Sequence, residues 1–521
     1  MTIRIPASIL LFAFLVLLVT SRASAQIFTA LYSFTNGTDG AGPQGGVTLS
    51  GSTLYGTAAG GGTNLSGTAF AIGAGGAGFS AFHTFTLDNT NPLSATYTNS
   101  NDGTDPLSLP IISGSTLYGT AYAGGTNDTG TVFAMGTGGA GFVALHTFSV
   151  ITNYFTNSVS GNNTNTDGSY PCSALALSGN TFYGTTEYGG MYGNGTIFQV
   201  NTDGSGFTTL YSFSPTFTNA FGIYTNGDGA NPVAGLIVGG GALYGTAQYG
   251  GTNGSGSAFS FIIYDSKLIN IHNFGLLGSN SVPFNNYTNN VYTNSDGAYP
   301  AGGLIVSGIT FYGTAQYGGA NGRGTIFSMG AKGDGFTILH NFGAENYCAP
   351  IAKLTNSDGV CPQTTLALIS NTLFGTTYAG GTNDCGTVFS INTSGAGFTT
   401  IYNFSQPGFN STTSIYTNAD GAYPNGSLAL WSSNMLYGTT AGGGTSGCGT
   451  VFAIVYGPGA IPLNYLLSGQ NLIVSWDDSA LTLQSAPTVN GPWTTVPGAT
   501  SPYTVGLTNP MQFFQVVTNG P

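Results

Sequence analysis

The sequence predicts an all-β chain: a seven-bladed β-propeller closed by its N-terminal strand, followed by a small C-terminal β-sandwich-like unit. Three observations lead there. A Leu-Tyr-Gly-Thr element recurs seven times, with its aromatic residue at Tyr55, Tyr118, Tyr183, Tyr244, Tyr312, Phe374 and Tyr437, a period of about 63 residues. Each period holds four short strand-like pieces, the make-up of a propeller blade. Finally, a fourth strand stands ahead of the first blade, and the last blade lacks one.

The first 25 residues are expected to be a secretory signal. Arg4 gives the positive start, Ile9 to Val19 is an apolar run too short to span a bilayer, and Ala23-Ser24-Ala25 is a cleavage site. The mature chain is then expected to begin at Gln26 and to be exported to the cell envelope or beyond, with no later membrane span. Residues 26–459 are assigned to the propeller and 460–521 to the C-terminal unit.

Charged residues are 5% of the 521, against roughly 25% in ordinary soluble domains. Without Arg4 and Arg22, 4 basic residues face 18 acidic ones, a formal charge of −14. That balance disfavours nucleic acid and anionic membranes as partners. The 34 Phe and 29 Tyr supply the apolar surface of a large core. The chain is expected to be a monomer and to need no cofactor.

The third unit shows the four strands plainly: Ser173 to Leu177, Thr181 to Thr185, Gly195 to Val200 and Gly206 to Phe213. Ser178-Gly179-Asn180 and Asn201-Thr202-Asp203-Gly204 are turns between them. The strands are apolar at successive positions, as expected where both faces of a sheet are covered. The glycine after each tyrosine is expected to let the next blade come close. Fourth strands end at Phe34, Phe85, Phe148, Phe213, Phe274, Phe342 and Phe404. The first of these should complete the last blade, which removes two open sheet edges.

Between blades lies Asp-Gly-x-x-Pro, with aspartates Asp39, Asp102, Asp167, Asp228, Asp296, Asp358 and Asp420. Asp-Gly makes a turn, and proline opens the inner strand where a missing N–H does least harm. The connections before these turns vary in length and are rich in Asn, Thr and Tyr. After Gly457-Pro458-Gly459 the repeat stops. Leu472 to Trp476, Leu481 to Gln484, Trp493 to Val496 and Gln512 to Val517 read as strands of the C-terminal unit, with two tryptophans for its core.

Over Phe28 to Ile454 the pattern runs Leu-Tyr-Gly-Thr-Thr/Ala, Gly-Gly, Gly-Thr-Val-Phe, Gly-Phe, Leu-His/Tyr-x-Phe. In this it resembles the GloVer (Gloeo/Verruco) tandem-repeat proteins, exported bacterial proteins. The resemblance implies an exported repeat fold and no defined activity. Members often end in a sorting or anchoring signal; here the C-terminal stretch is expected to be the small β unit instead, with no hydrophobic stretch or basic tail.

Among candidate residues, His83, His146, His272 and His340 share one repeat position with Tyr32, Tyr211 and Tyr402. Exchange of histidine with tyrosine around a ring points to a structural aromatic role rather than catalysis. The Asp-Gly turns superficially suggest calcium, with Asn101-Asp102 and Asp105 the nearest to a ligand set. Each loop is short of the six to eight oxygens the ion takes, so an Asx turn is the simpler reading. Glu187, Asp128 and Asp384 are additional acids on the Gly-Gly loops.

Tyrosines in the loops are the main surface feature. Tyr122, Tyr188, Tyr249, Tyr317 and Tyr378 lie between the second and third strands, and Tyr170, Tyr299 and Tyr423 just before the inner strand. Both loop sets should emerge on one face of the ring, where tyrosine among Asn and Thr suits contacts with sugars or proteins. Of the five cysteines, Cys348 and Cys361 share one connection and form the candidate disulfide; none has the spacing of a zinc site.

No nucleophile elbow, metalloprotease helix motif or phosphate loop is present. The expected function is therefore an exported, non-catalytic binding or scaffold protein for glycans or cell-surface proteins. The alternatives are a secreted polysaccharide-active enzyme and a purely structural envelope protein.

Overall fold

The computed structural model of the chain describes residues 27–86, 101–155, 162–284, 287–348, 353–411, 414–432, 435–455, 464–468, 471–475, 481–486, 494–500, 503–506 and 513–518. The expected leader, residues 1–25, and the tryptophans Trp476 and Trp493 lie outside the described residues.

The described residues form no helix. Six four-stranded antiparallel sheets follow one another, each with its strands in chain order. Blade 3 is typical, with Ala176–Ser178, Thr181–Thr186, Thr196–Asn201 and Thr208–Ser212. The seventh sheet joins Ile27–Ser33 to Thr450–Val455, which pairs with Met435–Gly442. The N-terminal strand thus completes the last blade, and the ring is a seven-bladed propeller.

The inner strand pairs over only three residues in blade 3, shorter than expected. Its first half carries side-chain bonds in place of ladder bonds. The Thr185 N–H donates to the Ser173 hydroxyl at 3.4 Å, and the Thr185 hydroxyl donates to the Ala234 carbonyl of the next blade at 3.2 Å. In five of the seven blades the threonine of this element is a staple to the next blade; Thr376 instead meets Thr364 of its own blade at 3.0 Å, and the Thr439 hydroxyl is buried without a partner among the described residues. Thr57 reaches the Ser108 carbonyl, Thr120 that of Ser173, Thr246 that of Gly302 and Thr314 that of Thr364, all within 3.1–3.3 Å.

The glycine of that element has a different task from the one expected. A Cβ at Gly184 would lie 2.4 Å from Cζ of Phe198 and 3.0 Å from Leu175. Phe198 is its partner on the adjacent strand of the same blade. The glycine therefore makes room for its own blade's phenylalanine, not for the backbone of the next blade.

Between blades the core is aromatic. Phe34, Phe85, Phe148, Phe213, Phe274, Phe342 and Phe404 are fully buried. Phe148 meets Phe198 of the following blade edge-on at 5.4 Å, and Leu175, Phe182 and Val200 fill the same interface. Edge-to-face pairs of this kind add about 0.5–1.5 kcal/mol beyond burial.

The connections before the Asp-Gly turns contain strands that composition did not reveal. Five two-stranded ribbons stand there, among them Phe217–Thr218 with Tyr224–Thr225, Gly278–Phe284 with Tyr287–Thr293, and Gly408–Asn410 with Ile415–Thr417. One asparagine latches the foot of each. Asn226 donates to the carbonyls of Ser214 and Gly229 at 3.0 and 2.7 Å, and accepts from the N–H groups of Gly229 and Gly251 at 2.9 and 2.8 Å. All four bonding sites of its amide are used. Asn165, Asn294, Asn356 and Asn418 make the same four bonds.

The chain divides into two compact units, Thr29–Leu430 with Tyr437–Ala453, and a smaller one that includes Ile454–Pro521. In the smaller unit two three-stranded sheets form. One joins Asn464–Ser468, Asn471–Ser475 and Tyr503–Gly506; the other joins Thr494–Thr495, Leu481–Ala486 and Phe513–Thr518. Leu483 and Ala486 are buried there.

Candidate functional site

The motif aspartates are the anchors of the face on which the loops emerge. Asp167 accepts from the Ser149 N–H at 3.1 Å and from the Ser149 hydroxyl, and lies 3.0 Å from His146 Nε2. The His146 ring in turn stacks on Phe207 of the next blade, with centroids 3.4 Å apart. Tyr32, Tyr211 and Tyr402 reach Asp39, Asp228 and Asp420 in the same way, at 3.0, 2.7 and 2.9 Å. The structural role expected of the histidines thus has a definite form. Each pins an outer strand to the turn that opens the next blade. A β-bulge at Ile197/Phe198, repeated in five other blades, re-aims the residue that does this. Asp102, singled out as a calcium candidate, accepts instead from Thr86 at 2.9 Å and faces His83 at 3.3 Å.

One position of Asp-Gly-x-x-Pro is special. The residue before each proline has positive φ: Gly42, Asp105, Tyr170, Asn231, Tyr299, Cys361 and Tyr423 all lie between 52° and 60°. Six of the seven carry side chains, for which this conformation is strained. Its use is to bridge blades. The Tyr170 N–H donates to Thr129 of blade 2 at 2.8 Å, while its carbonyl accepts from Glu187 of its own blade at 3.2 Å. Tyr299 and Cys361 do likewise, with Ser255 and Gln316, and with Arg323 and Tyr378.

Here the Gly-Gly loops and the inter-blade turns meet, as isolated bridges Ser169 to Tyr188 and Ala298 to Tyr317 show. All eight predicted tyrosines are brought into contact, in three groups. Tyr170 lies 5.0 Å from Tyr122 and 6.0 Å from Tyr188. Tyr299 lies 5.2 Å from Tyr249 and 6.0 Å from Tyr317. Tyr378 stacks on Tyr423 at 5.4 Å. Each group spans a blade junction. Tyr249, Tyr317 and Tyr378 remain 44%, 40% and 36% exposed.

Of the three additional acids, Glu187 is the one set apart by its surroundings. Burial pushes its carboxyl above the ordinary glutamate range, partly offset by hydrogen bonds from Tyr188 and Tyr122. Asp128 and Asp384 instead accept the Gly124 and Gly380 N–H groups at 3.1 and 3.2 Å, and Asp384 also pairs with Lys353 at 3.4 Å.

The expected disulfide is not formed. Cys361 is a free thiol. It occupies the positive-φ bridging position, where its thiol meets the Tyr317 hydroxyl, and burial raises it to about 11. Cys348 belongs to a ribbon strand and pairs with Lys353 across it.

The centre of the ring holds a cavity of about 540 Å³ lined from all seven blades. Gln44, Gln363 and Asn425 stand in its lining together with leucines such as Leu175, Leu236 and Leu366. Sequence reasoning missed these amides. They belong to a head-to-tail chain that crosses four blade junctions. Gln248 donates to Gln316 at 3.4 Å, Gln316 to Gln363 at 2.6 Å, Gln363 to Asn425 at 2.6 Å and Asn425 to Gln44 at 3.1 Å. The ribbons add exposed aromatics, Phe217, Phe221, Phe409 and Tyr416 among them.

Among solved structures the chain is similar to the GH74 enzyme of Niastella koreensis, at 12% identity and a TM-score of 0.45 over 90% of this chain and 60% of that one. It is similar to the GH74 xyloglucanase of Xanthomonas campestris, at 12% identity and a TM-score of 0.45 over 87% and 60%. It is also similar to an oligogalacturonate lyase in complex with manganese, at 7% identity and a TM-score of 0.44 over 82% and 92%. At such scores no activity follows from the likeness, and the chain spans only 60% of the length of either GH74 protein. No curated protein matches the sequence. The Gloeobacter/Verrucomicrobia repeat matches at residues 147–290 and 283–407, together half of the 521 residues. With its seven copies of the repeat, the chain belongs to the Gloeobacter/Verrucomicrobia repeat family.

Proposed function

We propose that this chain is an exported, non-catalytic binding protein that presents the loop face of its ring to a glycan or a cell-surface protein. The reading is carried by one observation: three tyrosine groups lie across blade junctions on one face, each with part of its surface exposed. Tyrosine gives a rigid flat ring with a polar tip, at low entropic cost on binding. Export rests on the leader expected at residues 1–25.

A second reading, a polysaccharide-active enzyme, is favoured by Glu187, whose raised affinity for its proton suits a general acid. Glycoside hydrolysis usually needs a second carboxyl group about 5–9.5 Å away. The groups that act on Glu187 are tyrosine hydroxyls and not a second acid, which weighs for binding over catalysis.

The test is to offer residues 26–521 to an array of microbial and plant polysaccharides while assaying product release in the same wells. Binding without cleavage, lost when Tyr249 and Tyr317 become alanine, supports recognition. Released oligosaccharides that vanish in Glu187→Gln establish the enzyme. Silence in both leaves a protein partner or the structural envelope role, to be separated by a pull-down from the cell envelope.

A further inference from the structure

We infer that the mouth of the central cavity is a subsite for the end, or a short branch, of a neutral saccharide, held by the arc of amides from Gln248 to Gln44. This rests on the recognition reading above and narrows it.

The first argument is the spare bonding capacity of the arc. A side-chain amide has two N–H donors and an oxygen with two lone pairs. Gln316, Gln363 and Asn425 each give one N–H to the next amide and accept one from the last. Each keeps one donor and one acceptor in the plane of its amide. A hydroxyl is both donor and acceptor, so adjacent sugar hydroxyls match that pair at every step of the arc. The chain of bonds also fixes the amides before a ligand arrives, which lowers the entropic cost of binding.

The second argument is shape. The cavity is walled by all seven blades, so the interior of a polymer cannot enter; only an end or a branch can. Its volume of about 540 Å³ lies inside the roughly 300–1,000 Å³ usual for small-ligand sites. The tyrosine groups adjoin the arc along the backbone, where the Gln316 N–H donates to the Tyr299 carbonyl at 3.2 Å. Gln248 and Gln316 directly precede Tyr249 and Tyr317, and Asn425 follows Tyr423 by two residues. A glycan lying over the tyrosines would therefore reach the amides with its end.

The third argument is charge. A uronate, sialate or phosphate group needs a free cation. The bases on this face are engaged: Arg323 pairs with Glu345 at 3.0 Å, and Lys353 with Asp384 at 3.4 Å. Glu187 and Asp105 add acids to the same face. An anionic saccharide end would meet repulsion without compensation.

The experiment is calorimetric titration of residues 26–521 with neutral and uronic-acid oligosaccharides. Each neutral one is used with free ends and with capped ends. The variants are Gln363→Ala, Gln363→Glu and the double change Tyr249→Ala with Tyr317→Ala. Thermal melts confirm that each variant folds. Gln363→Glu keeps the side chain's size should the alanine loosen the ring. The expected result is a loss of about tenfold or more in either Gln363 variant, a similar loss on capping, and weaker binding of the uronic acids. Neutral oligosaccharides that bind equally well to the wild type and both Gln363 variants, yet fail with the tyrosine double variant, would overturn the mouth subsite and leave the loop-face reading standing. Absence of binding by every saccharide overturns both. Capture of a peptide at the arc, with loss on Gln363 substitution, would overturn the saccharide assignment.

Discussion

Phe34 donates its backbone N–H to the carbonyl of Gly449 at 3.0 Å, and Phe148 makes the same bond to Gly130 at 3.1 Å inside blade 2. The first pair joins the two ends of the repeat region, the second lies within one hairpin, and the geometry is the same. The junction is sealed on the inside as well. The Gly42 N–H donates to Cys448 at 2.8 Å, and a Cβ at Gly449 would stand 2.7 Å from Pro43 Cδ. Gly449 has φ of 93°, so both space and backbone conformation demand glycine there.

The closing strand should therefore bear as much of the stability as any other outer strand. Phe34→Ala and Phe148→Ala are each expected to cost about 3–5 kcal/mol, because both rings are fully buried. Guanidinium unfolding of the two variants checks this. A clearly smaller loss for Phe34→Ala would mean that the ring tolerates an open seventh blade.

Asp358 tests the motif from the opposite direction. At five of the other six motif aspartates a hydroxyl, from Thr35, Thr86, Ser149, Ser214 or Ser405, reaches the carboxylate, while Gly275 stands beside Asp296. Gly343 holds that place beside Asp358, and Asp358 Oδ1 is buried without a partner. Gly343→Ser supplies the missing donor and removes freedom from the unfolded chain. A Cβ there would lie 2.9 Å from Asp358 Oδ1, so the carboxylate must shift slightly. A gain of about 0.5–1.5 kcal/mol in urea unfolding is expected. No gain, or a loss, would show that the shift costs more than the new bond returns.

Much of this architecture was legible because each blade repeats its own evidence. Asp167-Gly168 and Pro171 announce a turn and an inner strand, and Phe34 without a blade announces closure. The meeting of the two tyrosine-bearing loop sets was legible too, although Tyr122 and Tyr378 occupy a repeat position one residue ahead of Tyr188, Tyr249 and Tyr317. What stayed hidden has no local signature. The positive-φ position is filled by Gly, Asp, Tyr, Asn and Cys, so no residue type betrays it. The amide arc draws Gln248 and Gln316 from one loop and Gln44, Gln363 and Asn425 from another, and only closure of the ring aligns them. The ribbons pair over as few as two residues, too short for any periodicity to appear.

Asp167 predicts an acid limb of stability. Burial alone would raise its carboxyl, but hydrogen bonds from His146 and Ser149 and the charge of His146 overcome this and hold it below the ordinary aspartate range. A folded value below the unfolded one gives stability that is fully present above the unfolded value and is lost as pH falls through the folded value. Asp167→Asn should thus be destabilised by roughly 1–3 kcal/mol near neutrality, and the difference from wild type should shrink below about pH 4. Urea midpoints from pH 2 to 7 measure it. A difference that does not change with pH would place the whole effect in packing and none in the charged pair.

Glu187 predicts the opposite slope. Burial raises its folded value above the unfolded one, against the pull of Tyr188 and Tyr122. The folded state then holds the proton more tightly, so stability is present below the unfolded value and is lost as pH rises through the folded value. Above that range wild type keeps an ionised carboxylate in a half-buried site. Glu187→Gln removes the charge and keeps an acceptor for the two tyrosine hydroxyls. The variant should match or trail wild type near pH 4 and overtake it toward pH 8. Differential scanning calorimetry across that range reads the crossing directly. If Glu187→Gln is destabilised by the same amount at every pH, the ionised carboxylate is already well solvated or paired. The case for an acid of raised proton affinity at this face would then be lost, and with it the observation that favours catalysis.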